Sequence, residues 1–158
     1  MIVGGGCRGR QLATEMVSAG LLVRVSTRTE RGRPAIEAAG AECWIGTPDR
    51  LATLRGALDS VTVVCWLLGS ATGSPQQLRA LHTSRLELFL TQAVDTTVRG
   101  IVYEATGAST PAEPLREGAA IARELAARNA MPVRLLTADP SDIQTWLAEA
   151  RAAVQSLL

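Results

Sequence analysis

The sequence contains no lysine; all 16 of its basic residues are arginines. It has one histidine, one tyrosine and one phenylalanine, and aromatic residues make up 3% of the chain. With 15 acidic residues the formal net charge is +1, which indicates neither a basic nucleic-acid surface nor an acidic tail. The absence of lysine excludes any catalytic chemistry that depends on a lysine side chain.

Cysteine is also scarce, and its spacing does not predict a metal site. Cys7, Cys43 and Cys65 have neither C-x-x-C spacing nor nearby histidines, so no zinc site is predicted. Cys43 and Cys65 lie in apolar runs, which predicts buried thiols in a reducing compartment. No run approaches the ~18 apolar residues of a membrane span, and no signal peptide is recognisable. We expect a soluble cytoplasmic protein that binds neither membrane nor nucleic acid.

Glycine, in contrast, is concentrated near the start of the chain. Gly4, Gly6 and Gly9 have the spacing G-x-G-x-x-G between a short apolar stub and a helical pattern. The first glycine permits a tight turn, the second lets backbone approach a pyrophosphate, and the third lets the helix pack on its strand. The amides that open the helix would face the phosphates. With Cys7, whose thiol we expect to pack, and Arg8, this turn predicts a dinucleotide site.

Short apolar runs alternate with helical patterns along the whole chain. Strands are predicted at residues 1–3, 21–27, 41–45, 61–68, 100–103 and 132–136. Beyond the helix that follows the glycines, helices are predicted at residues 32–39, 49–58, 76–94, 113–129 and 141–155. Such alternation implies right-handed crossovers and a parallel sheet. We predict an α/β fold: a single doubly wound, six-stranded Rossmann domain over residues 1–158, with three αβα layers and strand order 3-2-1-4-5-6.

The first predicted strand is short. Strands usually run to ~5–6 residues, and the first glycine of the motif is already at position 4. Either the strand is a stub, or the natural chain begins before Met1.

Four predicted helices share a start signal in which an N-capping side chain precedes a proline. The pairs are Thr47-Pro48, Ser74-Pro75, Thr110-Pro111 and Asp139-Pro140. Ser74 and Thr110 are followed three residues later by Gln77 and Glu113, which is the capping-box pattern. The repeated signal supports the division into βα units.

The end of the second predicted strand carries hydroxyls and a guanidinium where a carboxylate is usual. In sites of this type an acidic residue ~20 positions past the glycines binds the adenosine ribose of NAD. Ser26, Thr27 and Arg28 occupy that place. They would bind a 2′-phosphate through charge-assisted hydrogen bonds, and Arg8 would reach the same phosphate from the glycine turn. We therefore expect NADP(H) rather than NAD(H).

Each of these assignments has an alternative. Arg28 and Arg31 would be solvated loop charges if no phosphate binds there. A glycine turn alone can arise by chance, although the neighbouring strand and helix patterns agree with it here. S-adenosylmethionine is the rival ligand, but its sites generally use an acidic residue at the end of the second strand, which this chain lacks.

Together these motifs resemble the short-chain dehydrogenase/reductase superfamily, in particular its extended and atypical, NAD(P)-binding, epimerase-like branches. The stretches that carry the resemblance are residues 4–9, residues 26–28, the apolar strand ending in Leu67-Leu68-Gly69, and Tyr103-Glu104-Ala105-Thr106-Gly107. The resemblance spans nearly the whole chain. It implies that Arg8 and Arg28 hold the 2′-phosphate and that the strand end at Leu68 and Gly69 runs beside the cofactor ribose.

The chain departs from the family at the catalytic pair. Family members use a tyrosine as acid/base and a lysine four residues later that lowers the tyrosine pKa and holds the nicotinamide ribose. Here the single tyrosine, Tyr103, lies in the predicted fifth strand, and the position four residues later is Gly107. A tyrosine without a neighbouring cation has a pKa near ~10 and is a poor acid/base at neutral pH. The C-terminal substrate-binding part of the longer members has no counterpart in this sequence.

The sequence does not assign catalytic residues. A substrate is expected at the ends of the fourth and fifth strands, at residues 69–74 and 105–110. Thr106, Ser109 and Thr110 are the candidates for hydrogen-bonding a carbonyl substrate there, and Ser109 loosely resembles the serine that orients substrate in the family. We favour a simpler interpretation, in which Thr110 caps a helix and the other two are loop residues.

The long helix predicted at residues 76–94 carries the only histidine, His82, which we expect at the surface or at a subunit interface. Its apolar stripe is interrupted by one charge, Arg85. Most of that stripe must cover the sheet, so a homodimer through this helix is only a modest expectation.

Three functions remain open. The first is an atypical NADP(H)-dependent oxidoreductase acting on a small carbonyl or similar substrate, with the proton supplied by solvent or a hydroxyl relay. The second is a non-catalytic NADP(H) sensor or regulatory module. The third is a structural subunit that keeps the fold without the ligand.

Overall fold

The structure, a computed structural model, describes residues Met1–Leu158 and contains one six-stranded sheet. Its strands are β1 (Ile2–Val3), β2 (Arg24–Thr27), β3 (Glu42–Ile45), β4 (Val63–Trp66), β5 (Gly100–Glu104) and β6 (Val133–Leu136). Neighbouring strands all pair in parallel, in the order β3-β2-β1-β4-β5-β6. The predicted doubly wound order is confirmed.

Six α-helices cover the two faces of the sheet. They are α1 (Cys7–Ser18), α2 (Arg33–Glu37), α3 (Pro75–His82), α4 (Ser84–Val94), α5 (Ala112–Arg128) and α6 (Ile143–Gln155). One buried cluster includes Leu12 of α1, Ile36 of α2 and Trp146 of α6. A second includes Phe89 of α4 and Ala122 of α5. The three αβα layers are confirmed, and none of the helices combines the length and apolar character needed to cross a membrane.

Strand β4 separates the two clusters. All of its residues are buried, as expected for a parallel strand covered by helices on both sides. Val63 and Cys65 belong to the first cluster, whereas Val64 and Trp66 belong to the second. Alternate side chains of the strand therefore face opposite layers.

Residues 49–58 do not form the predicted α-helix. Two 3₁₀ turns, Leu51–Thr53 and Gly56–Leu58, take its place. The Trp44 indole donates a hydrogen bond to the Thr53 carbonyl at 2.7 Å, and the Thr53 hydroxyl donates one to the Arg50 carbonyl at 2.6 Å. These side chains occupy carbonyls that an α-helix would bond to its own amides.

The single long helix predicted at residues 76–94 is interrupted at Thr83. This residue has φ −117° and ψ −97°, so α3 ends before it and α4 begins after it. Its hydroxyl donates to the Arg79 carbonyl at 2.7 Å. A threonine bonded to the preceding turn commonly bends or breaks a helix.

Only one of the four predicted caps forms as expected. Ser74 and Gln77 make the complete capping box at the start of α3. Thr110 does not cap α5; its hydroxyl donates instead to carbonyls of the loop after β4. Asp142 rather than Asp139 caps α6, and the Thr47 hydroxyl accepts a hydrogen bond within a non-helical loop.

Gly118 lies where α5 crosses β5, and a side chain at this position has no room. A Cβ atom there would overlap Tyr103 Oη and lie 2.6 Å from the His82 carbonyl oxygen. We expect Gly118→Ala to lower the free energy of unfolding by about 1–3 kcal/mol through overpacking, although alanine is the better helix former. Chemical denaturation measures the difference.

Tyr103→Phe provides the matched background for this test, because it removes the oxygen that the new methyl group would overlap. The alanine substitution should cost less stability there than in the unmodified chain. An equal cost in both backgrounds would show that the overlap with the Tyr103 oxygen is not the cause, because the close approach to the His82 carbonyl is the same in both.

Candidate functional site

The glycine turn between β1 and α1 is set by close backbone packing. Gly4 has a φ of +127°, and a Cβ there would overlap the carbonyl of Leu67, just after β4. A Cβ on Gly9 would overlap the Gly4 carbonyl oxygen. Gly4 therefore lies directly against the end of β4, and the first turn of α1 lies directly against the end of β1.

Gly6 faces open space instead. No heavy atom lies within 4 Å of the position that a Cβ would take. Gly6 is the N-cap of α1 and makes no side-chain capping bond, so the first amides of the helix are free to bind a ligand. An anionic group fits this position, because the helix dipole adds to the amide donors.

A cleft of about 320 Å³ opens beside this turn, at the carboxyl edge of the sheet. It is bounded by the glycine turn, the end of β2 and the loops that follow β3 and β4. A larger cavity of about 580 Å³, mainly apolar, lies at the opposite edge. Ligands of doubly wound sheets bind at the carboxyl edge, and the smaller cleft is within the usual volume of small-molecule sites. We therefore take the smaller cleft as the candidate site.

The cleft brings together predicted cofactor-binding residues from three separate segments: Gly4, Gly6, Ser26, Thr27, Arg28 and Leu68. Gly9 and Gly69 do not line it but occupy packed backbone positions near its edge. Cys7 is exposed at the first position of α1. The sequence did not point to Pro48 and Asp49, which also line the cleft, because that stretch was predicted to open a helix.

Arg28, at the end of β2, carries an uncompensated charge. It is exposed and forms no ion pair. Nearby Arg33 pairs with Glu30 and Glu37, and the hydrogen bonds that Arg33 donates to the Glu30 carboxylate are the main cause that raises the pKa of Arg33. Because Glu30 and Glu37 are both paired with Arg33, neither neutralises the Arg28 guanidinium, which can therefore bind an anionic ligand.

Arg8 has different partners from those expected. Its Nη2 donates to Glu104 Oε1 at 3.0 Å, and its guanidinium lies 5.3 Å from the centre of the Trp146 ring. Glu104 is 1% exposed and also accepts hydrogen bonds from the Trp146 indole at 3.1 Å and the Gly69 amide at 2.6 Å. These contacts differ from the predicted role of Arg8, which was to bind the 2′-phosphate, because the guanidinium already contacts Glu104 of β5 and Trp146 of α6.

No protein-family model and no curated protein matches this chain in sequence. Solved structures match it in fold. UDP-glucuronic acid 4-epimerase from Bacillus cereus in complex with NAD superposes with a TM-score of 0.68 at 10% identity, covering 85% of this chain and 53% of the epimerase. Triphenylmethane reductase from Citrobacter sp. complexed with NADP(H) gives 0.63 at 16% identity, covering 85% and 47%.

A third match is a short-chain dehydrogenase/reductase superfamily protein from Agrobacterium tumefaciens with bound NAD. Its TM-score is 0.64 at 19% identity, with 85% of this chain and 47% of that protein covered. This chain therefore shares the doubly wound α/β fold of these proteins. The resemblance predicted from the motifs is confirmed at the level of the fold, and the chain spans about half the length of these proteins.

The single tyrosine of the chain does not face the cleft. Tyr103 is fully buried, its hydroxyl lies 2.8 Å from His82 Nδ1, and it donates to the Leu115 carbonyl at 3.3 Å. Burial raises the pKa of Tyr103 well above its ordinary value. His82 is fully buried too, so its predicted position at the surface is wrong. Burial lowers the pKa of His82 to about 4, and neither ring is placed for acid–base work in the cleft.

The three weak catalytic candidates have contacts typical of loop residues. Thr106 donates its hydroxyl to the Ala138 carbonyl at 2.8 Å, and the Thr110 hydroxyl lies 3.4 Å from the Leu68 carbonyl oxygen. Ser109 is exposed, and its amide donates to the Gly69 carbonyl at 3.3 Å. None of the three lines the cleft, and their catalytic role stays a prediction.

The Arg8–Glu104 pair gives a direct stability test. We expect Arg8→Ala to lower the free energy of unfolding by about 3 kcal/mol, because it leaves the buried Glu104 carboxylate without a counter-charge. Arg33→Ala is the matched control, since it breaks a solvent-exposed pair with Glu30 and should cost much less stability than Arg8→Ala. Urea denaturation of both variants measures the contrast, and similar losses would contradict it.

The buried His82 predicts a pH dependence of stability. In the unfolded chain, His82 is protonated below its ordinary pKa of 6.5. In the folded protein, its pKa is about 4, so it stays neutral until the pH is much lower. The unfolded state thus binds more protons between these values, and stability is lost as the pH falls from 6.5. The loss should reach about 3 kcal/mol by pH 4.

Denaturation at pH 7, 6 and 5 measures this slope before most carboxylates titrate. Since His82 is the only histidine, His82→Gln should flatten the profile in that window. A slope that survives the substitution would show that another group is responsible.

Proposed function

We propose that this chain binds NADP(H) in the cleft beside the glycine turn and serves as the cofactor-binding domain of an atypical oxidoreductase. The observation that carries the proposal is the open start of α1 at Gly6, which lies in the same cleft as the unpaired guanidinium of Arg28. Amides at a helix start suit a diphosphate, and a free guanidinium suits a phosphomonoester.

The similar structures support a nicotinamide dinucleotide as the ligand but do not decide between NAD(H) and NADP(H). The epimerase and the Agrobacterium protein were solved with NAD, and the triphenylmethane reductase was solved with NADP(H). The preference for NADP(H) rests on this chain, where Ser26, Thr27 and Arg28 stand at the end of β2 with no carboxylate among them.

The bound nicotinamide would supply or accept a hydride, and the residues of this chain would bind and orient it. We assign the diphosphate to the turn formed by Gly4, Gly6, Cys7 and Gly9, and the ribose beside the nicotinamide to the strand end at Leu68 and Gly69. The substrate class we propose is a small carbonyl or similar compound. Its proton would come from solvent or a hydroxyl relay, since Tyr103 is buried away from the cleft.

A non-catalytic NADP(H) sensor is the second candidate. It is favoured by the same burial of Tyr103 and by the hydroxyls of Thr106 and Thr110, which are directed at backbone carbonyls. Hydride transfer needs positioning and exclusion of water, whereas a sensor needs binding alone. The two candidates share the cofactor site and differ in turnover.

Arg28→Ala tests the cofactor assignment. We expect this substitution to weaken NADPH binding by about 1.5–3 kcal/mol, because a charge-assisted hydrogen bond to the 2′-phosphate is lost. Binding of NADH, which lacks that phosphate, should change little. Isothermal titration calorimetry of both ligands provides the comparison, and an unchanged NADPH affinity would remove Arg28 from the site.

Turnover separates the oxidoreductase from the sensor. Oxidation of NADPH would be followed across aldehydes, ketones, quinones and flavins, with the heat of NADPH binding measured on the same sample. The oxidoreductase proposal expects turnover with at least one acceptor class. Tight binding with no turnover on any acceptor would favour the sensor.

Two further predictions stand as proposals. We propose that the protein acts in the cytoplasm, because Cys65 is a free, buried thiol and free thiols are typical of reducing compartments. A homodimer through α4 remains a proposal as well; Leu88 is its exposed apolar residue, at 51% exposure.

A further inference from the structure

Arg8 and Arg10 lie on opposite flanks of α1. They are two residues apart, which separates their side chains by about 200° around the helix axis. Gly9, between them, is buried against the sheet. Arg8 points towards α6, where it contacts Glu104 and Trp146. Arg10 must therefore lie on the other flank, towards β2 and α2.

The contacts of Arg10 agree with this placement. Its Nη1 donates to the Gly5 carbonyl at 2.7 Å. Gly5 in turn packs on the end of β2, since a Cβ there would lie 2.8 Å from the Ser26 carbonyl oxygen and 3.3 Å from Ile36 Cδ1 of α2. One residue thus bridges the Arg10 guanidinium and the strand end that holds Ser26.

The charge of Arg10 is not neutralised. The side chain is half-buried and forms no ion pair. The carboxylates on the neighbouring segment, Glu30 and Glu37, are both paired with Arg33. Arg10, on the flank of α1 nearest β2, and Arg28, just after β2, are therefore free of ion pairs, and so is Arg31. Asp49, the carboxylate that lines the cleft, is paired with Arg85.

We propose that Arg10, acting with Arg28, binds the 2′-phosphate of NADP(H), and that Arg8 does not. This inference rests on the proposed function, and it assigns the cofactor specificity to a residue that the motif alone did not single out. A phosphomonoester dianion suits two guanidiniums, each of which offers several donors in a planar fork. The hydrogen bond to Gly5 positions the Arg10 guanidinium before the ligand arrives.

The test compares Arg10→Ala, Arg10→Lys and Arg123→Ala by calorimetric titration with NADPH and with NADH. Arg123 is exposed on α5 and makes no hydrogen bond or ion pair, so Arg123→Ala removes the same charge elsewhere. Arg10→Ala should weaken NADPH binding about tenfold or more and leave NADH binding nearly unchanged. Arg10→Lys should recover part of the NADPH affinity, and Arg123→Ala should match the unmodified chain.

An equal loss of NADPH and NADH affinity in Arg10→Ala would overturn the inference, because Arg10 would then only support the glycine turn. Unchanged NADPH affinity would overturn it as well. Should Arg10→Ala fail to fold, Arg10→Lys decides, since weaker NADPH binding with unchanged NADH binding is still expected. Failure of the proposed function is a separate result, in which the unmodified chain binds neither dinucleotide.

Discussion

The glycine turn packs backbone against backbone at the carboxyl edge of the sheet: Gly4 lies against the end of β4, and Gly9 of α1 lies against Gly4 at the end of β1. Gly4 and Gly9 permit it, since a Cβ on either would overlap a carbonyl oxygen. The same geometry leaves Gly6 facing open space at the start of the helix. Both the packing of α1 and the binding of a ligand at its start require a turn without side chains, so a single glycine substitution there would affect both.

A buried carboxylate connects this turn to the rest of the edge. Glu104 accepts hydrogen bonds from Arg8 of α1, Gly69 after β4 and Trp146 of α6. A buried ion pair contributes little net stability, because desolvation offsets most of its attraction. Its consequence here is geometric: Arg8 is held on one flank of α1, and the flank nearest β2 is left to Arg10. Glu104 on β5 therefore holds Arg8 away from the end of β2, where we propose that the 2′-phosphate binds.

The strand order and the glycine turn could be predicted because both follow from local patterns of apolar residues and glycines. The capping box of Ser74 is equally local, and it forms. The helix errors share a physical cause: Thr53 and Thr83 bond to backbone carbonyls, and no apolar periodicity reveals that competition. The partner of Arg8 could not be predicted for another reason: Glu104 is 96 positions away in the chain, and local sequence patterns do not show contacts at that separation. The burial of His82 likewise depends on long-range packing.

The cleft offers open helix amides and the unpaired Arg28 guanidinium but few groups for proton transfer, so the structure supports ligand binding more strongly than a particular reaction. A crystal structure of this chain grown with NADP⁺ tests that binding most directly. The diphosphate should lie on the amides at Gly6 and Cys7, with the 2′-phosphate beside Arg28 at the end of β2. A dinucleotide bound elsewhere on the molecule, with the start of α1 making no contact to phosphate, would contradict the account.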